Sequence, residues 1–389
     1  MSAQSLVVVL GAAGETGSLA AERIVKGGRF DAVRLVDVNE EGARKVAARL
    51  NHPAISVVKA DARDRASLDA AVVGAHTVIN TIGPYFIFGR ACIEAVLDAG
   101  AHYVDVNDEI DATLAFFDDA ELSARFLAKA KTAVIGLGTS PGMTNIFVAE
   151  GARQMDTVDE VQIRLVSNSR YRAPAVMYHR LHVLSSGATV LRDGQLQVLP
   201  ARSEPEVIEF PVEPGRGTCF IVGHPEPITL ARHIPGLRNA DVKLGYVPDS
   251  FNDIMQQIFD LGLVNDEPIQ VGDTKVSIAK VAAAYFGSSQ ADHLFNVENA
   301  TANFGRQIRV IGKKNGVDTR VIYRIGGTNS TRITGYLPVV AAELLLADGV
   351  DAKGLVAPEL LPTEPFLKEV LALGVVCDVV EEQSRQLTA

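Results

Sequence analysis

The feature that most constrains this chain is a series of glycines that follows an apolar segment near its start. The apolar residues 6–10 predict a buried parallel strand, which leads directly into Gly11, Gly14 and Gly17 at the start of a helical pattern. Gly11 permits a tight turn, Gly14 lets the backbone approach a pyrophosphate, and Gly17 lets the helix pack closely on the strand. A second apolar strand ends at Asp37, whose carboxylate is placed to bind a ribose hydroxyl. This order of elements predicts a dinucleotide-binding site.

The glycine loop and its surroundings also indicate which dinucleotide is bound. The spacing is Gly-x-x-Gly-x-x-Gly, so the first glycine lies one residue earlier than in the usual fingerprint. A carboxylate at Asp37 repels the 2′-phosphate of NADP, and residues 38–41 include no Arg or Lys to attract it. NAD is therefore the expected cofactor, NADP remains possible, and a glycine turn without a bound phosphate is the structural alternative. Further expected contacts with the cofactor come from Ala13, Glu15, Thr16 and Asn39.

Charge and cysteine content exclude several classes of protein. The formal net charge of −10 argues against a nucleic acid or an anionic membrane as a partner. The three cysteines lie far apart in apolar surroundings, which predicts no metal or redox motif and a reducing compartment. The first apolar run lacks a basic leader, and no run reaches the length of a membrane span. We therefore expect a soluble cytoplasmic protein without a bound metal.

The pattern of apolar residues divides the chain into three parts. Residues 1–142 alternate strands and helices, which predicts an α/β domain of the Rossmann type with a doubly wound parallel sheet. Residues 143–330 predict an α+β domain with a mainly antiparallel sheet, which would bind substrate and form a dimer. Residues 331–389 predict C-terminal helices that return toward the Rossmann domain.

Turn and helix signals add detail to this outline. The Asp-Gly pair at 193–194 and the Asn-Gly pair at 315–316 are typical of two-residue hairpin turns. Helical patterns predict helices at 92–99 and 113–130. A short strand is predicted close to the end of the chain, at 375–380.

Polar residues at the carboxyl ends of the predicted parallel strands are candidates for binding, because ligands of such sheets lie there. Asp61 is expected at the adenine end of the cofactor, with a helix cap or a solvated acid as the alternative. Tyr85 is expected beside the nicotinamide and the substrate, or simply packed in the core. Asp105 is a candidate for catalysis, and a turn-forming role is its alternative. The remaining candidates for cofactor contacts are Ala62, Thr81, Ile82, Gly83 and Asn107.

A stiff loop in the second part carries a histidine and a glutamate. Two prolines flank Glu226 in the sequence Gly-His-Pro-Glu-Pro, which places His224 and Glu226 close together. Histidine titrates near neutrality and suits proton transfer to an amine or imine. The sequence therefore indicates a catalytic pair at His224 and Glu226, and an ordinary surface turn is the alternative.

Candidates for binding a substrate carboxylate come from a glycine-rich loop and from arginines. Asn145 ends the loop at 136–145, whose N–H groups would bind a substrate carboxylate or shape the nicotinamide pocket if the loop opens a helix. A plain cap of that helix is the alternative. Arginine forks also suit carboxylates, and Arg170 and Arg232 are the main candidates. A solvated charged face or a dimer contact is the alternative for each arginine. Four arginines lie close in sequence to His179 and His182, namely Arg164, Arg170, Arg172 and Arg180.

Together these motifs resemble the saccharopine dehydrogenase-like superfamily. The resemblance covers most of the chain and is weakest at about 165–215. It rests on the segments Gly11–Gly17, Asn80–Tyr85, His102–Glu109, Gly136–Asn145, Gly223–Arg232 and Ile333–Glu359, together with Asp61.

The resemblance implies nicotinamide-dependent redox chemistry at a carbon that bears an amino group. Substrates would be lysine-like amino acids or their imines, and the protein would be a homodimer formed through its second domain. The superfamily includes saccharopine reductases, lysine 6-dehydrogenases and carboxynorspermidine synthases, and the lysine 6-dehydrogenase-like branch fits Asp37 and the chain length best. Two other classes of function stay open: a non-catalytic nucleotide sensor or scaffold, and a transferase that uses bound NAD internally.

Overall fold

The structure, a computed structural model, describes residues 5–168, 174–185, 187–295 and 303–384. Contacts divide the chain into two compact units. Unit 1 comprises Met1–Ala149 and Thr331–Leu373, and unit 2 comprises Glu150–Ser330 and Gly374–Ala389. The predicted C-terminal segment 331–389 is therefore divided between the units at Leu373.

Unit 1 is built on a parallel sheet of seven strands, which confirms the predicted α/β fold of the Rossmann type. The strands are β1 (Leu6–Leu10), β2 (Ala32–Asp37), β3 (Ile55–Lys59), β4 (Thr77–Asn80), β5 (His102–Asp105), β6 (Thr132–Val134) and β17 (Gly354–Val356). Their spatial order is β3-β2-β1-β4-β5-β6-β17, so the order reverses between β1 and β4, where ligands of such sheets bind.

Helices cover both faces of this sheet, because successive residues of a strand point to opposite sides and both sides are apolar. Val8 and Leu10 of β1 belong to one buried cluster, and Val7 and Val9 belong to another. The helices are α1 (Glu15–Gly27), α2 (Glu40–Leu50), α3 (Arg65–Val72), α4 (Tyr85–Asp98), α5 (Ile110–Phe117), α6 (Ala120–Ala128), α7 (Met143–Ala152), α13 (Ser330–Leu346) and α14 (Thr363–Ala372), of which α7 and α13 extend past the unit boundaries.

Two helices of unit 1 differ from the sequence prediction. The predicted helix at 113–130 is two helices, because the Asp119 side chain accepts a hydrogen bond from the Leu122 N–H and starts α6 anew. The helix predicted at 92–99 begins at Tyr85, directly after Pro84. Both errors arose where a polar side chain or a proline, rather than apolar periodicity, sets the helix start.

Unit 2 is built on a mixed sheet in which β7 (Thr157–Ser167) pairs in parallel with β12 (Asn239–Tyr246) and the other strands pair antiparallel. The prediction of an α+β unit with a mainly antiparallel sheet is confirmed. The strands are β7 (Thr157–Ser167), β8 (Ala188–Arg192), β9 (Gln195–Leu199), β10 (Glu206–Glu209), β11 (Arg216–Ile221), β12 (Asn239–Tyr246), β15 (Asn303–Lys314), β16 (Val317–Thr328) and β18 (Val376–Gln383).

Both predicted hairpin turns are present in unit 2. The Asp-Gly pair at 193–194 joins β8 to β9, and the Asn-Gly pair at 315–316 joins β15 to β16. All four turn residues have positive φ, which a two-residue turn with the twist of a hairpin requires. The strand predicted at 375–380 is β18, which pairs with β16 in this sheet.

Helices and a small hairpin complete the described part of unit 2. They are α8 (Pro174–Ser185), α9 (Glu226–His233), α10 (Asp249–Asp260), α11 (Ile278–Gly287) and α12 (Asp292–Phe295), with β13 (Pro268–Val271) and β14 (Thr274–Ser277). Among the described residues of either unit, no helix has the length and apolar character needed to cross a membrane.

Candidate functional site

The glycine loop between β1 and α1 forms an open cradle. Gly11 has a φ of +81°, and a Cβ added there would lie 2.7 Å from the Thr81 hydroxyl oxygen. A Cβ at Gly17 would lie 2.2 Å from the Gly11 carbonyl oxygen, so both positions require glycine. A Cβ at Gly14 would meet only that same oxygen, at 3.3 Å, which leaves one side of the loop open.

The start of α1 suits an anion on this open side. The helix begins at Glu15 after Gly14, which provides no side-chain cap, and Gly14 and Glu15 are exposed. N–H groups in the first turn of a helix lack intrahelical acceptors and attract negative charge. The cradle therefore fits the pyrophosphate of a dinucleotide, with Gly14, Glu15 and Thr16 as the residues that would line it.

Asp37 is held beside the glycine loop by two backbone donors. One carboxylate oxygen accepts from the Ala13 N–H at 2.9 Å, and the other accepts from the Asn39 N–H at 2.8 Å. Asn39 in turn caps α2, because its side-chain oxygen accepts from the Gly42 N–H at 3.0 Å. The carboxylate thus has a fixed position at the end of β2, where the ribose of a dinucleotide is bound in such folds.

Asp61 organises the turn after β3. Its carboxylate accepts from the backbone N–H of Arg63 at 2.9 Å and pairs with the Arg63 guanidinium at 2.7 Å. The hydrogen bonds from Arg63 lower the pKa of Asp61 to about 2. Asp61 therefore stabilises this turn, whereas the cap of α3 is Asp64, and a contact of Asp61 with adenine stays a prediction. Ala62 packs against the apolar core of unit 1.

The segment after β4 packs against the glycine loop. The Thr81 hydroxyl donates to the Leu10 carbonyl at 2.8 Å, and the Ile82 N–H donates to the Asn80 side chain at 3.0 Å. Tyr85 is buried, and its hydroxyl donates to the Asn80 carbonyl at 3.0 Å. The packing alternative is therefore favoured for Tyr85. Gly83 is exposed between these residues and precedes the proline at the start of α4.

Asp105 is completely buried at the end of β5. One carboxylate oxygen accepts from the Gly136 N–H at 2.7 Å and from the Asn107 N–H at 3.1 Å. The other, Oδ2, has no hydrogen-bond partner among the described residues. Burial raises the pKa of Asp105 to about 7, although these N–H groups and the Tyr103 hydroxyl oppose the shift. Asp105 therefore joins two loops at the carboxyl edge of the sheet, and its pKa lies close to neutrality.

Asn107 and Glu109 fix the loop that follows β5. The Asn107 amide donates to the Thr113 hydroxyl at 2.9 Å, and its oxygen accepts from the Glu109 N–H. The buried Glu109 carboxylate accepts from the N–H groups of Tyr85 at 3.0 Å and Phe86 at 2.6 Å. Sequence reasoning did not assign Glu109, because no local pattern links it to the start of α4, more than twenty residues earlier.

Asn145 is buried at the start of α7. Its side-chain oxygen accepts from the Gly142 N–H at 2.9 Å, and its amide donates to the Glu359 carboxylate at 2.8 Å. The pair holds the glycine-rich loop at 136–145 against the segment after β17. Sequence reasoning placed Glu359 in the resembling tail but gave it no role. Binding of substrate by Asn145 stays a prediction.

His224 and Glu226 form a buried pair in unit 2. Histidine Nδ1 and glutamate Oε2 lie 2.8 Å apart, with side-chain exposures of 8% and 0%. Pro225 separates them, and Glu226 begins α9. The carboxylate fixes the orientation of the ring and favours the tautomer with hydrogen on Nδ1, in which Nε2 is the basic nitrogen. The arrangement is chemically suited to move a proton, and the surface-turn alternative does not account for the burial.

The arginine candidates have different surroundings. Arg232 is exposed in the last turn of α9, and Arg170 lies outside the described residues. Arg164 is buried and pairs with Glu206 at 2.7 Å and with Asp241. A substrate role for Arg164 is therefore disfavoured, because its charge is already neutralised inside the sheet. No group of three His, Cys, Asp or Glu side chains suited to a metal occurs in the part of the chain that the structure describes.

Comparisons with known proteins cover both units. The saccharopine dehydrogenase NADP binding domain family matches residues 7–154, and the saccharopine dehydrogenase C-terminal domain family matches residues 138–375. The structure of apo saccharopine dehydrogenase (L-Glu forming) from Saccharomyces cerevisiae has a TM-score of 0.69 and 13% identity, covering 98% of this chain and 100% of that chain. This likeness shows the shared fold.

Curated relatives are similar over different lengths. A lipid droplet localized protein from Caenorhabditis elegans is 32% identical over 26% of this chain, and a trans-acting enoyl reductase from Mycobacterium tuberculosis is 31% identical over 27%. The chain spans about a quarter of the length of these relatives. Carboxynorspermidine synthase from Vibrio cholerae is 24% identical over 79% of this chain and 78% of that protein. The chain belongs to the saccharopine dehydrogenase family, and its cofactor is a nicotinamide dinucleotide, NAD(P).

Proposed function

We propose that this protein is a dehydrogenase that prefers NAD to NADP and acts on an amine-bearing carbon of a lysine-related amino acid or on its imine. The observation that carries the cofactor preference is the fixed carboxylate of Asp37, which bonds to the Ala13 and Asn39 N–H groups. A 2′-phosphate at this position would be repelled by the Asp37 carboxylate, which cannot rotate away without breaking its hydrogen bonds to the two N–H groups.

The His224–Glu226 pair supports an oxidation that also releases a proton. The bound nicotinamide supplies a hydride acceptor when an amine is oxidised, and a hydride donor in reverse. Oxidation of a CH–NH₂ group to C=NH transfers one hydride and one proton, and His224 would accept that proton from nitrogen. Glu226 would stabilise the protonated ring across 2.8 Å. Arg232 and Arg170 are proposed to bind the substrate carboxylate.

The substrate class is supported by relatives rather than by a bound ligand. Saccharopine dehydrogenase and carboxynorspermidine synthase are both named for amine-bearing compounds, and both alignments cover more than three quarters of this chain. A homodimer formed through the second domain, which the resemblance to the family implies, and a cytoplasmic location, which the composition predicts, are two further proposals. Sedimentation of the purified chain tests the homodimer, and a monomer at micromolar concentration would contradict it.

A second candidate is reduction of a carbon–carbon double bond, which the similarity to enoyl reductases favours. That similarity extends over 106 residues, which is shorter than the 148 residues that the NADP-binding domain family matches. A similarity of this length does not exceed that of a cofactor-binding domain. We therefore rank amine oxidation first.

One assay separates these candidates. Diamines and diamino acids are incubated with the protein and either NAD or NADP, and the absorbance band of the reduced cofactor is followed; enoyl thioesters are tested with the reduced cofactors. Steady production of NADH from an amino acid supports the proposal. Oxidation of the reduced cofactor with enoyl thioesters, and no reaction with amines, supports the second candidate. Nucleotide binding without turnover supports a sensor, and tight retention of NAD without net reduction supports a transferase.

A further inference from the structure

Unit 2 contains a cavity that the proposed chemistry has not used. Its volume is about 340 Å³, which lies in the range of pockets that bind small molecules. It lies between α8, the start of α11 and the segment that joins α10 to β13. The residues that line it are Tyr178, His182, Val264, Asn265, Asp266 and Ala279.

A carboxylate is fixed on one wall of this cavity. The Asp266 carboxylate accepts from the Tyr178 hydroxyl and from the Ser277 hydroxyl, the latter at 2.5 Å. Burial raises the pKa of Asp266, but these hydroxyls and the nearby Lys280 and His182 lower it below its usual value. Burial and the bond to Asp266 raise the pKa of Tyr178 to about 12, so the phenol remains a donor. Asp266 is therefore a negative charge of fixed orientation.

Lys280, the residue that follows the lining residue Ala279 on α11, brings a positive charge close to the Tyr178 ring. The Lys280 Nζ atom is 5.7 Å from the centre of the Tyr178 ring. A ligand with only a negative charge would be repelled by Asp266, and one with only a positive charge would be repelled by Lys280. A molecule that carries a positive and a negative group on the same carbon can pair with both residues. Val264 and Ala279 offer apolar surface for an attached carbon chain.

We propose that this cavity binds the head of an amino acid, with Asp266 accepting from the α-ammonium group and Lys280 pairing with the α-carboxylate. The inference rests on the proposed function for its class of ligand, an amino acid, but it does not depend on turnover. Charge-assisted hydrogen bonds of this kind are roughly twice as strong as hydrogen bonds between neutral groups.

Calorimetric titration of the full-length protein without a dinucleotide tests the proposal. The probes are L-lysine, L-norleucine, which keeps the same head but lacks the distal amine, and cadaverine, which lacks the carboxylate. We expect L-lysine and L-norleucine to bind, and cadaverine to bind at least about tenfold more weakly. Asp266→Asn and Lys280→Gln should each weaken L-lysine and L-norleucine by about tenfold or more. Lys280→Gln should leave cadaverine unweakened.

Matched controls make the same charge changes outside the cavity. Asp273→Asn lies in the β13–β14 turn and Lys275→Gln lies on β14, and both residues are exposed. These variants should bind as the unchanged protein does. If Asp266→Asn melts at a lower temperature, Lys280→Gln carries the test, since Lys280 is exposed on α11.

The outcomes separate this inference from the proposed function. Unchanged binding of L-norleucine in both cavity variants, or no binding of either amino acid to the unchanged protein, would overturn the cavity assignment even if an amine is oxidised. Loss of binding in the variants with no NADH formed from any amine would support the cavity and count against the proposed dehydrogenase.

Discussion

Replacing Gly14 by alanine separates the binding role of the glycine loop from its structural role. The added methyl group would lie 3.3 Å from the Gly11 carbonyl oxygen, and Gly14 has a φ of −73°, which alanine adopts without strain. The fold should therefore tolerate the change, with a difference of less than about 1 kcal/mol in the free energy of unfolding. The same methyl group occupies the open side of the cradle, where the pyrophosphate would lie.

Gly17→Ala is the matched control, because it adds the same group within the same loop. Its methyl group would lie 2.2 Å from the Gly11 carbonyl oxygen, which is backbone and can move only if the turn changes. Overpacking of this kind costs about 1–3 kcal/mol. Gly17→Ala should therefore lower the melting temperature of the protein by several degrees, whereas Gly14→Ala should leave it nearly unchanged.

The assay is fluorescence titration with NADH, together with thermal unfolding of each variant without cofactor. We expect Gly14→Ala to raise the dissociation constant of NADH at least about tenfold, which corresponds to 1.4 kcal/mol. If Gly14→Ala binds NADH as tightly as the unchanged protein does, the pyrophosphate does not lie on the open side of the glycine loop. A large loss of stability in Gly14→Ala would refute the view that its open side is free of protein contacts.

Three further predictions address the remaining groups of the site. Asp37→Ala should narrow the preference for NAD over NADP in parallel titrations, and a preference for NADP in the unchanged protein would contradict the role of Asp37. His224→Gln should lower kcat by about 10²–10⁴-fold with little change in NAD affinity; His233→Gln, on the last turn of α9, is the control, and an unchanged kcat in His224→Gln would exclude proton transfer by His224. The free energy of unfolding of Asp105→Asn minus that of the unchanged protein should be larger at pH 8 than at pH 4, as measured by denaturant titration.

Local sequence signals predicted the elements whose causes are local. The apolar runs of β1 and β2, the glycines between them and Asp37 specify the cradle, because each acts on residues within a few positions of itself. The Asn-Gly pair at 315–316 fixed the longest hairpin of unit 2 for the same reason, since its positive φ angles are favourable in these residues.

Contacts between distant residues could not be predicted in this way. Glu109 caps α4 from more than twenty residues away, and Asn145 bonds to Glu359, which is 214 residues away in sequence. The ion pair of Arg164 with Glu206 requires the register of two strands in one sheet. A residue read alone in the sequence does not show which distant backbone or side chain it contacts. Only the folded unit brings these partners together, and there they hold loops and strands in place.

The buried carboxyl group of Asp105 shows how such a contact affects stability. Its folded pKa of about 7 lies above the value of about 3.9 for an unfolded chain. Below pH 4 both states hold the proton, so Asp105 adds no pH dependence. Between pH 4 and 7 only the folded state holds it, and stability falls as pH rises, by up to about 4 kcal/mol in total. Asparagine keeps the acceptor for Gly136 and Asn107 but cannot ionise.

The difference in stability between Asp105→Asn and the unchanged protein should therefore grow from pH 4 to 7 and then level off. Other titrating groups, including His102, whose pKa is lowered to about 3 mainly by burial, are present in both proteins and cancel in this difference. A constant cost of burying the amide shifts the whole curve without changing its slope. A difference that stays flat across this range would show that Asp105 ionises at its ordinary pKa, and that the two loops it joins are open to water.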